Sequence, residues 1–200
     1  MQHAKLKNPN KLEVRDFITL GIFWVLYFIV YSLGSPLCVT VVGNFFIHGA
    51  CGILWGITFP LLCIKVNKPG IVFLYTALIG LVQIMNLWVT GLIIITGAVV
   101  AELVWRKMDR KNFKTIAICH VLIVCFMYLG MFLPLLLLSD VFLTQIPEYS
   151  LAMFTDVYNF LSATTYMFFV GLVAAILGTL LGALLGKKLL KKHFIKAGII

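Results

Sequence analysis

Charged residues are scarce in this chain of 200 residues, and their scarcity excludes an ordinary soluble domain. Asp, Glu, Lys and Arg together make up 12% of the chain, whereas 62% of the residues are apolar. A soluble domain is about a quarter charged and nearly half apolar. The composition therefore predicts an integral membrane protein, and the lipid bilayer is its first expected partner.

A loop that cradles nucleotide phosphates is also missing. The most similar segment, Gly182 to Lys188, has the wrong glycine spacing for GxxxxGK[ST] and ends a predicted helix instead of following a strand. The chain therefore does not hydrolyse ATP by that route.

The residues of a recognised enzyme site or metal centre are absent as well. His48 and His120 lie in different apolar stretches, and neither has the Glu neighbour of an HExxH motif. The five cysteines form no CxxC pair, and Cys within an apolar span is usually a small hydrophobe. We predict no enzyme activity, no catalytic residue and no intrinsic cofactor. His48 alone is a weak candidate for a haem or metal ligand.

Long stretches of the chain contain no basic residue. The sixteen Lys and Arg residues fall in four clusters at 5–15, 65–68, 106–114 and 187–196. Basic residues collect on the cytoplasmic side of inserted helices, so the pattern predicts an even number of crossings with both termini in the cytoplasm. Because the positive charges flank apolar spans, they serve topology and anionic headgroups. We predict no nucleic-acid partner.

The apolar stretches predict an all-α membrane protein, a six-transmembrane-helix bundle that forms one domain over residues 1–200. Its cytoplasmic segments are 1–15 and 187–200. The predicted crossings are 16–33, 38–64, two within 71–105, 113–138 and 157–186.

Two parts of this topology depend on weaker signals. The stretch 71–105 is too long for one crossing and just long enough for two short ones, with a break near 85–91. If that break does not reach the outer face, four crossings and a re-entrant pair result. The segment 139–156 is the longest predicted outer segment and carries the acids Asp140, Glu148 and Asp156.

Glu102 is the one acid within a predicted span. Carriers coupled to protons or sodium usually have a buried carboxylate. Glu102 lies four residues before Arg106, however, and this spacing favours an ion pair on one helix face at the inner interface. The missing coupling chemistry indicates that a partner supplies the energy.

Aromatic and amide side chains are concentrated in the outer half. The candidate ligand-binding residues are Tyr31, Asn44, His48, Gln83, Asn86, Trp88, Tyr128, Tyr158 and Asn159. Together with the outer acids they are consistent with a small-molecule pocket. Two alternatives stay open: an aromatic belt at the interface, and a hydrogen bond between helices at Asn44 and His48.

Small residues recur every four positions in the last predicted helix, at Ala174, Gly178, Gly182 and Gly186. Such a stripe lets another helix approach closely. The neighbour is either a helix of the same bundle or a second protein that docks there.

Two segments resemble a known family. The beginning of the first span, Val14 to Phe23, and the end of the last, Gly178 to Gly198, resemble the MptB (Trep_Strep) family of bacterial integral membrane proteins. The family looks like the S components of energy-coupling factor (ECF) transporters. The resemblance implies a substrate-binding subunit in the bacterial cell membrane, with partners that are a transmembrane T component and two ABC ATPases. It also implies that ATP is used by these partner ATPase subunits.

The resemblance also implies a mechanism. The S component binds a micronutrient from outside, either vitamin-like or related to haem or metal, and tilts with its partners to deliver it. Many S components dock through an AxxxA surface of the first helix, whereas here Gly21 is the one truly small residue of the matching stretch. The candidate docking residues are Gly21, Gly178, Gly182 and Gly186. The alternative function is a self-sufficient small secondary carrier or channel.

Overall fold

In the computed structural model, which describes residues 10–194, the chain folds as a bundle of α-helices and contains no strand in that range. The helices are α1 (Val14–Gly34), α2 (Val41–Lys65), α3 (Ile71–Asn86), α4 (Trp88–Lys107), α5 (Phe113–Leu137), α6 (Ser139–Gln145), α7 (Glu148–Ala163) and α8 (Tyr166–Leu189). A 3₁₀ turn covers Ser35–Val39 and a π-helical turn covers Leu190–Phe194. The predicted terminal segments 1–15 and 187–200 lie partly outside the described residues.

Five segments are long and apolar enough to cross a membrane. They are Val14–Val39, Val41–Lys65, Trp88–Lys107, Phe113–Leu137 and Tyr166–Lys192. The prediction of an all-α membrane protein is confirmed. The sixth crossing stays a prediction, because α3 has 16 residues and a helix of that length spans about 24 Å of a hydrocarbon core of about 30 Å.

The structure places the helix breaks more accurately than the sequence does. The break between α3 and α4 falls at Leu87, inside the predicted 85–91, where the backbone becomes extended with φ −152° and ψ 108°. The predicted start of the last crossing at Val157 is wrong. Val157 belongs to α7, and α8 begins at Tyr166 after the chain leaves helical geometry at Thr164. Residues 139–156, the longest predicted outer segment, form α6 and the first nine residues of α7.

The described parts of the basic clusters meet at one end of the bundle, which we call the basic end; the opposite end is the far end. At the basic end, Lys68 Nζ lies 2.7 Å from Asp16 Oδ2, and the Trp105 indole N–H donates to the Lys68 carbonyl over 3.0 Å. Lys187 Nζ lies 5.8 Å from the centre of the Phe113 ring. These contacts join the first turn of α1, the loop before α3, the last turn of α4, the start of α5 and the end of α8.

Glu102 anchors two helices at the basic end. The predicted pair with Arg106 is confirmed, because the Arg106 Nε–H donates to Glu102 Oε1 over 2.6 Å. The same carboxylate accepts the backbone N–H groups of Gly70 (2.6 Å) and Phe73 (3.1 Å) at the start of α3. Gly70 adopts φ +94°, a left-handed conformation that favours glycine. Glu102 therefore caps α3 from α4, as an anion suits a helix N-terminus.

Glycines hold α2 and α8 in direct backbone contact. This glycine seam consists of Gly49, Gly52 and Gly56 on α2 and Gly178, Gly182 and Gly186 on α8. An added Cβ at Gly178 would strike the Gly49 backbone, and one at Gly186 would strike the Gly56 carbonyl. The seam lies inside the bundle, as one of the two alternatives predicted.

The assignment of Gly178, Gly182 and Gly186 to partner docking is therefore wrong, since α2 already covers their faces. Gly21 differs from them. It is exposed on α1, and an added Cβ there would meet no atom within 4 Å. Docking through Gly21 stays a prediction.

Candidate functional site

A cavity of about 570 Å³ opens at the far end of the bundle. Its wall is formed by α1 and the 3₁₀ turn on one side, α2, α3, α4 and α5 around the floor, and α6 and α7 above it. The lining residues are Tyr27, Phe28, Tyr31, Ser35, Cys38, Asn44, His48, Ile79, Val82, Gln83, Asn86, Leu87, Thr90, Ile94, Met127, Met131, Phe142, Ile146, Pro147, Tyr149, Ser150, Met153 and Phe154. This volume is typical of sites for small organic molecules.

Exposure distinguishes the mouth of the cavity from its floor. Tyr149 is 89% exposed, and Asn86 and Ser35 are also exposed, so these residues mark the mouth. Tyr27 and Ile94 are buried and mark the floor. A solute would thus enter between the 3₁₀ turn, the end of α3 and the start of α7.

The wall of the cavity is uncharged. Among the lining residues that the structure describes, none is Lys, Arg, Asp or Glu. The lining includes aromatic rings, aliphatic side chains and the thioethers of Met127, Met131 and Met153, and its polar side chains are mainly hydroxyls, amides and one imidazole. Such a wall suits a mostly apolar solute that is oriented by a few hydrogen bonds.

Asn44 is fully buried, and its side-chain amide is only half satisfied. Its Nδ2 donates to the carbonyls of Cys38 (3.0 Å) and Thr40 (2.9 Å), whereas its Oδ1 has no hydrogen-bond partner among the described residues. Carbonyl oxygens accept hydrogen bonds and do not donate them, so these two contacts fix which amide atom is the nitrogen. Asn44 is one of the lining residues, so the cavity lining includes a residue with an unsatisfied acceptor.

His48 lies one turn farther along α2 and is 4% exposed. Its Nδ1 has no hydrogen-bond partner among the described residues. The ring is held edge-on by Tyr128, at 5.6 Å between centroids, and by Phe132, at 6.5 Å. Aromatic packing therefore orients this imidazole. Asn44 Oδ1 and His48 Nδ1 do not form the interhelical hydrogen bond that was predicted as an alternative.

Comparison with known proteins identifies the family. The model of a family described as "hypothetical bacterial integral membrane protein (Trep_Strep)" matches residues 14–196. The chain belongs to the Trep_Strep family. No curated protein and no solved structure matches it. The resemblance at the two ends of the chain is thus confirmed over almost its whole length, and membrane localisation with it.

The structure brings five of the nine predicted binding residues of this Trep_Strep protein together. They are Tyr31, Asn44, His48, Gln83 and Asn86, all in the cavity wall. Gln83 and Asn86 are joined near the mouth, where Asn86 Nδ2 donates to Gln83 Oε1 over 3.1 Å. Their role in binding stays a prediction, but they share one cavity.

The other four predicted residues lie elsewhere. The Tyr128 hydroxyl donates to the Phe168 carbonyl over 2.8 Å and ties α5 to α8 behind the cavity. Trp88 is 49% exposed on the outer surface of α4. On α7, Asn159 is exposed and Tyr158 packs against the core, and neither lines the cavity. Their assignment to the pocket is corrected, because sequence position gives depth in the membrane but not the direction of a side chain.

The outer acids also do not line the cavity. Asp140, Glu148 and Asp156 are exposed on α6 and α7. These two helices turn their other faces toward the cavity, and Phe142 meets Phe154 there with ring centroids 5.3 Å apart. The expectation of an acidic pocket wall is therefore corrected.

Several lining residues were missed from the sequence. Tyr27 lies one turn before Tyr31, and its ring stacks against both Tyr31 (6.3 Å) and Trp55 (4.8 Å). The spacing of the two tyrosines on one helix face was a usable signal. Met127 and Met131 gave no signal, since apolar residues around a cavity look the same in sequence as residues of a core.

The structure places no three His, Cys, Asp or Glu side chains together as a metal site within residues 10–194. The candidacy of His48 as a haem or metal ligand stays a prediction. The second buried imidazole, His120, stacks on Phe59 at 5.3 Å, and both its ring nitrogens lack partners within the described part of the chain. His120 lies outside the cavity wall.

Proposed function

We propose that this Trep_Strep protein is the solute-binding subunit of a bacterial importer, of the S-component type. The observation that carries the proposal is the uncharged, aromatic cavity at the end of the bundle opposite the basic residues. A protein that captures a solute needs such a chamber on one face of the membrane, with polar groups placed inside it.

Charge supports the orientation. Basic residues favour the cytoplasmic side, so the basic end faces the cytoplasm, both termini are inside, and the mouth near Tyr149 and Asn86 opens to the exterior of the bacterial cell membrane. A micronutrient then arrives at a face that carries acids but no Lys or Arg in the described residues.

The source of energy is external to the chain. The sequence contains no phosphate-binding loop, and Glu102 is engaged by Gly70, Phe73 and Arg106, which supports a structural role for this carboxylate. We therefore assign ATP hydrolysis to two ABC ATPases that act through a T component. Tilting of the S component within that complex delivers the solute inward, and the exposed α1 surface around Gly21 is the proposed docking face.

Co-expression with a T component and its ATPases tests the proposal. We expect a stable complex, ATP-dependent uptake and a small molecule that copurifies and is identifiable by mass spectrometry. Met131→Trp, which fills the cavity, should abolish the copurified solute while the complex still forms. Leu137→Trp is the matched control, because Leu137 is 67% exposed outside the cavity.

The chain purified without partners tests the alternative function. A self-sufficient carrier or channel would give flux in liposomes that contain this chain alone, driven by an ion gradient and abolished by Glu102→Gln. Flux without partners, together with no complex, would refute the proposed S-component role.

A further inference from the structure

Two residues that line the cavity each carry a polar atom that the protein itself leaves unsatisfied. Asn44 Oδ1 and His48 Nδ1 are buried and have no hydrogen-bond partner in the described part of the chain. Buried polar atoms are nearly always paired, and each unpaired one costs about 1–3 kcal/mol. Two such atoms on adjacent turns of α2, both on residues that line the same cavity, indicate a ligand that completes them.

Asn44 determines what one part of the ligand must be. Its Nδ2 is already used by the Cys38 and Thr40 carbonyls, so the atom that remains is an acceptor. The complementary ligand group is a donor, an N–H or an O–H. A carboxylate ligand has no such donor and would place its negative charge against the Asn44 oxygen.

His48 supplies the second point of contact. A neutral imidazole carries one N–H donor and one acceptor, and no carboxylate is among the described residues that line its cavity. Side chains four residues apart on a helix have Cβ atoms about 6 Å apart. An amide group with one hydrogen bond on each side spans that separation, with its N–H toward Asn44 and its carbonyl toward an N–H of His48.

The rest of the wall indicates the shape and charge of the ligand. Tyr27 and Tyr31 present rings inclined by 21° to each other at 6.3 Å, and Met127 faces the same chamber. Flat aromatic and thioether surfaces favour a planar apolar body. Because the described lining holds no charged side chain, a charged ligand would lose its hydration without a counter-charge.

We propose that the cavity binds a neutral planar solute through a carboxamide-like edge, with the solute N–H donating to Asn44 Oδ1 and its carbonyl accepting from His48. This inference rests on the proposed solute-binding function and narrows it to a chemical class. It predicts that carboxamides and lactams bind more tightly than the corresponding acids and esters.

Three probes of nearly equal shape test the proposal: benzamide, methyl benzoate and benzoate. Binding to the protein in lipid nanodiscs is measured by saturation-transfer NMR and titration. We expect benzamide to bind about tenfold more tightly than methyl benzoate, which lacks the donor, and benzoate to bind more weakly still. Met131→Trp should abolish the benzamide signal, which places the binding in the cavity.

Two variants locate the hydrogen bonds. Asn44→Ala should weaken benzamide binding about fivefold to tenfold and leave methyl benzoate nearly unchanged, because the ester has no N–H to lose. His48→Phe should weaken both probes by a similar factor, because both carry the carbonyl that accepts from His48. His48→Phe keeps the ring volume, so it remains informative if Asn44→Ala loosens the start of α2. Asn159→Ala is the matched control, because Asn159 is exposed outside the cavity, and it should bind all probes as the parent does.

The outcomes are separable. Equal binding of benzamide and methyl benzoate, unchanged binding in both variants, or tightest binding of benzoate would each overturn the carboxamide inference. Absence of binding by all three probes would overturn it as well. The proposed function is decided independently, by the copurified solute and by ATP-dependent uptake with partner subunits.

Discussion

Two carboxylates at the basic end and two buried groups of the cavity lining are bonded in opposite ways, although Arg110 Nη1 at the basic end also lacks a partner among the described residues. At the basic end, Glu102 has three donors, and Lys68 lies 2.7 Å from Asp16 and 3.7 Å from Glu13. At the far end, Asn44 and His48 each leave a buried atom without a partner among the described residues. Satisfied groups stabilise the fold, whereas unsatisfied groups reduce stability until something binds them. The difference distinguishes the structural end of the molecule from the end where a solute is expected.

The largest expected effect comes from disrupting the glycine seam, which lies between the two ends. Gly182→Leu should destabilise the protein by about 3 kcal/mol or more, because any Cβ at this position strikes the backbone of Gly52 and Ile53. Denaturant unfolding in detergent micelles measures the change. Gly21→Leu is the matched control on an open face and should fold normally. Similar stability of the two variants would contradict the glycine seam.

Breaking the basic end should cost somewhat less. Glu102→Ala leaves two backbone N–H groups and the Arg106 guanidinium without their acceptor, so we expect a loss of about 3 kcal/mol in unfolding free energy. Asp156→Ala, which removes an exposed acid at the far end, should change stability by less than about 0.5 kcal/mol. If both variants behave alike, the bonds of Glu102 add little, and the contrast between the ends is lost.

Removing an unsatisfied group should instead increase the free energy of unfolding. His120→Phe deletes two buried ring nitrogens that lack partners within the described residues and keeps the stacking on Phe59, so we expect a gain of about 1 kcal/mol. Tyr128→Phe deletes a hydroxyl that does have a partner and should lose about 1 kcal/mol. Thermal unfolding of the two variants side by side checks the signs, and a loss at His120 would show that its imidazole is bonded.

The smallest expected effect is a pH dependence at the basic end. The hydrogen bond to the Asp16 carboxylate raises the pKa of Lys68 above its usual 10.5, against a smaller opposing effect of desolvation. A raised pKa means that the charged amine stabilises the fold fully below the unfolded-state pKa and that this contribution disappears as the pH rises through the folded-state value.

Melting temperatures of the parent and Lys68→Met measure this contribution. The parent should melt higher at about pH 8, and the difference should shrink at about pH 12. Lys111→Met, at an exposed lysine of the loop between α4 and α5, should show no such convergence. A difference that stays constant with pH would show that Lys68 acts through its packing.

Much of this fold is readable from the sequence because helix ends coincide with charges. The basic clusters fix the ends of α2, α4 and α8, and the stretch at 85–91, which contains Asn86, Thr90 and Gly91, includes the break at Leu87. The break between α7 and α8 was missed because residues 157–186 contain no charged residue, and the polar pair Thr164 and Thr165 is too short to signal a separate helix.

Residues of the site could be predicted from the sequence only where their side chains are unusual in a membrane interior. Asn44 and His48 are conspicuous there, and both line the cavity. The role of Tyr128 depends on the Phe168 carbonyl, a partner 40 residues away that no local pattern reveals. The methionines of the cavity lining could not be predicted either, because in the sequence Met127 cannot be distinguished from a core residue.

The glycine seam also has an evolutionary consequence. Gly49 and Gly178 touch through their backbones, as do Gly52 with Gly182 and Gly56 with Gly186, so at five of the six positions a larger residue meets the backbone of the opposite helix first, and only at Gly52 does it first meet a side chain, the Thr179 hydroxyl. No second substitution in the pair can rescue the first. Sequences of the family should therefore drift freely on the lipid-facing surface of α8 while this line of glycines remains fixed, and an alignment of relatives would show it as invariant positions instead of covarying ones.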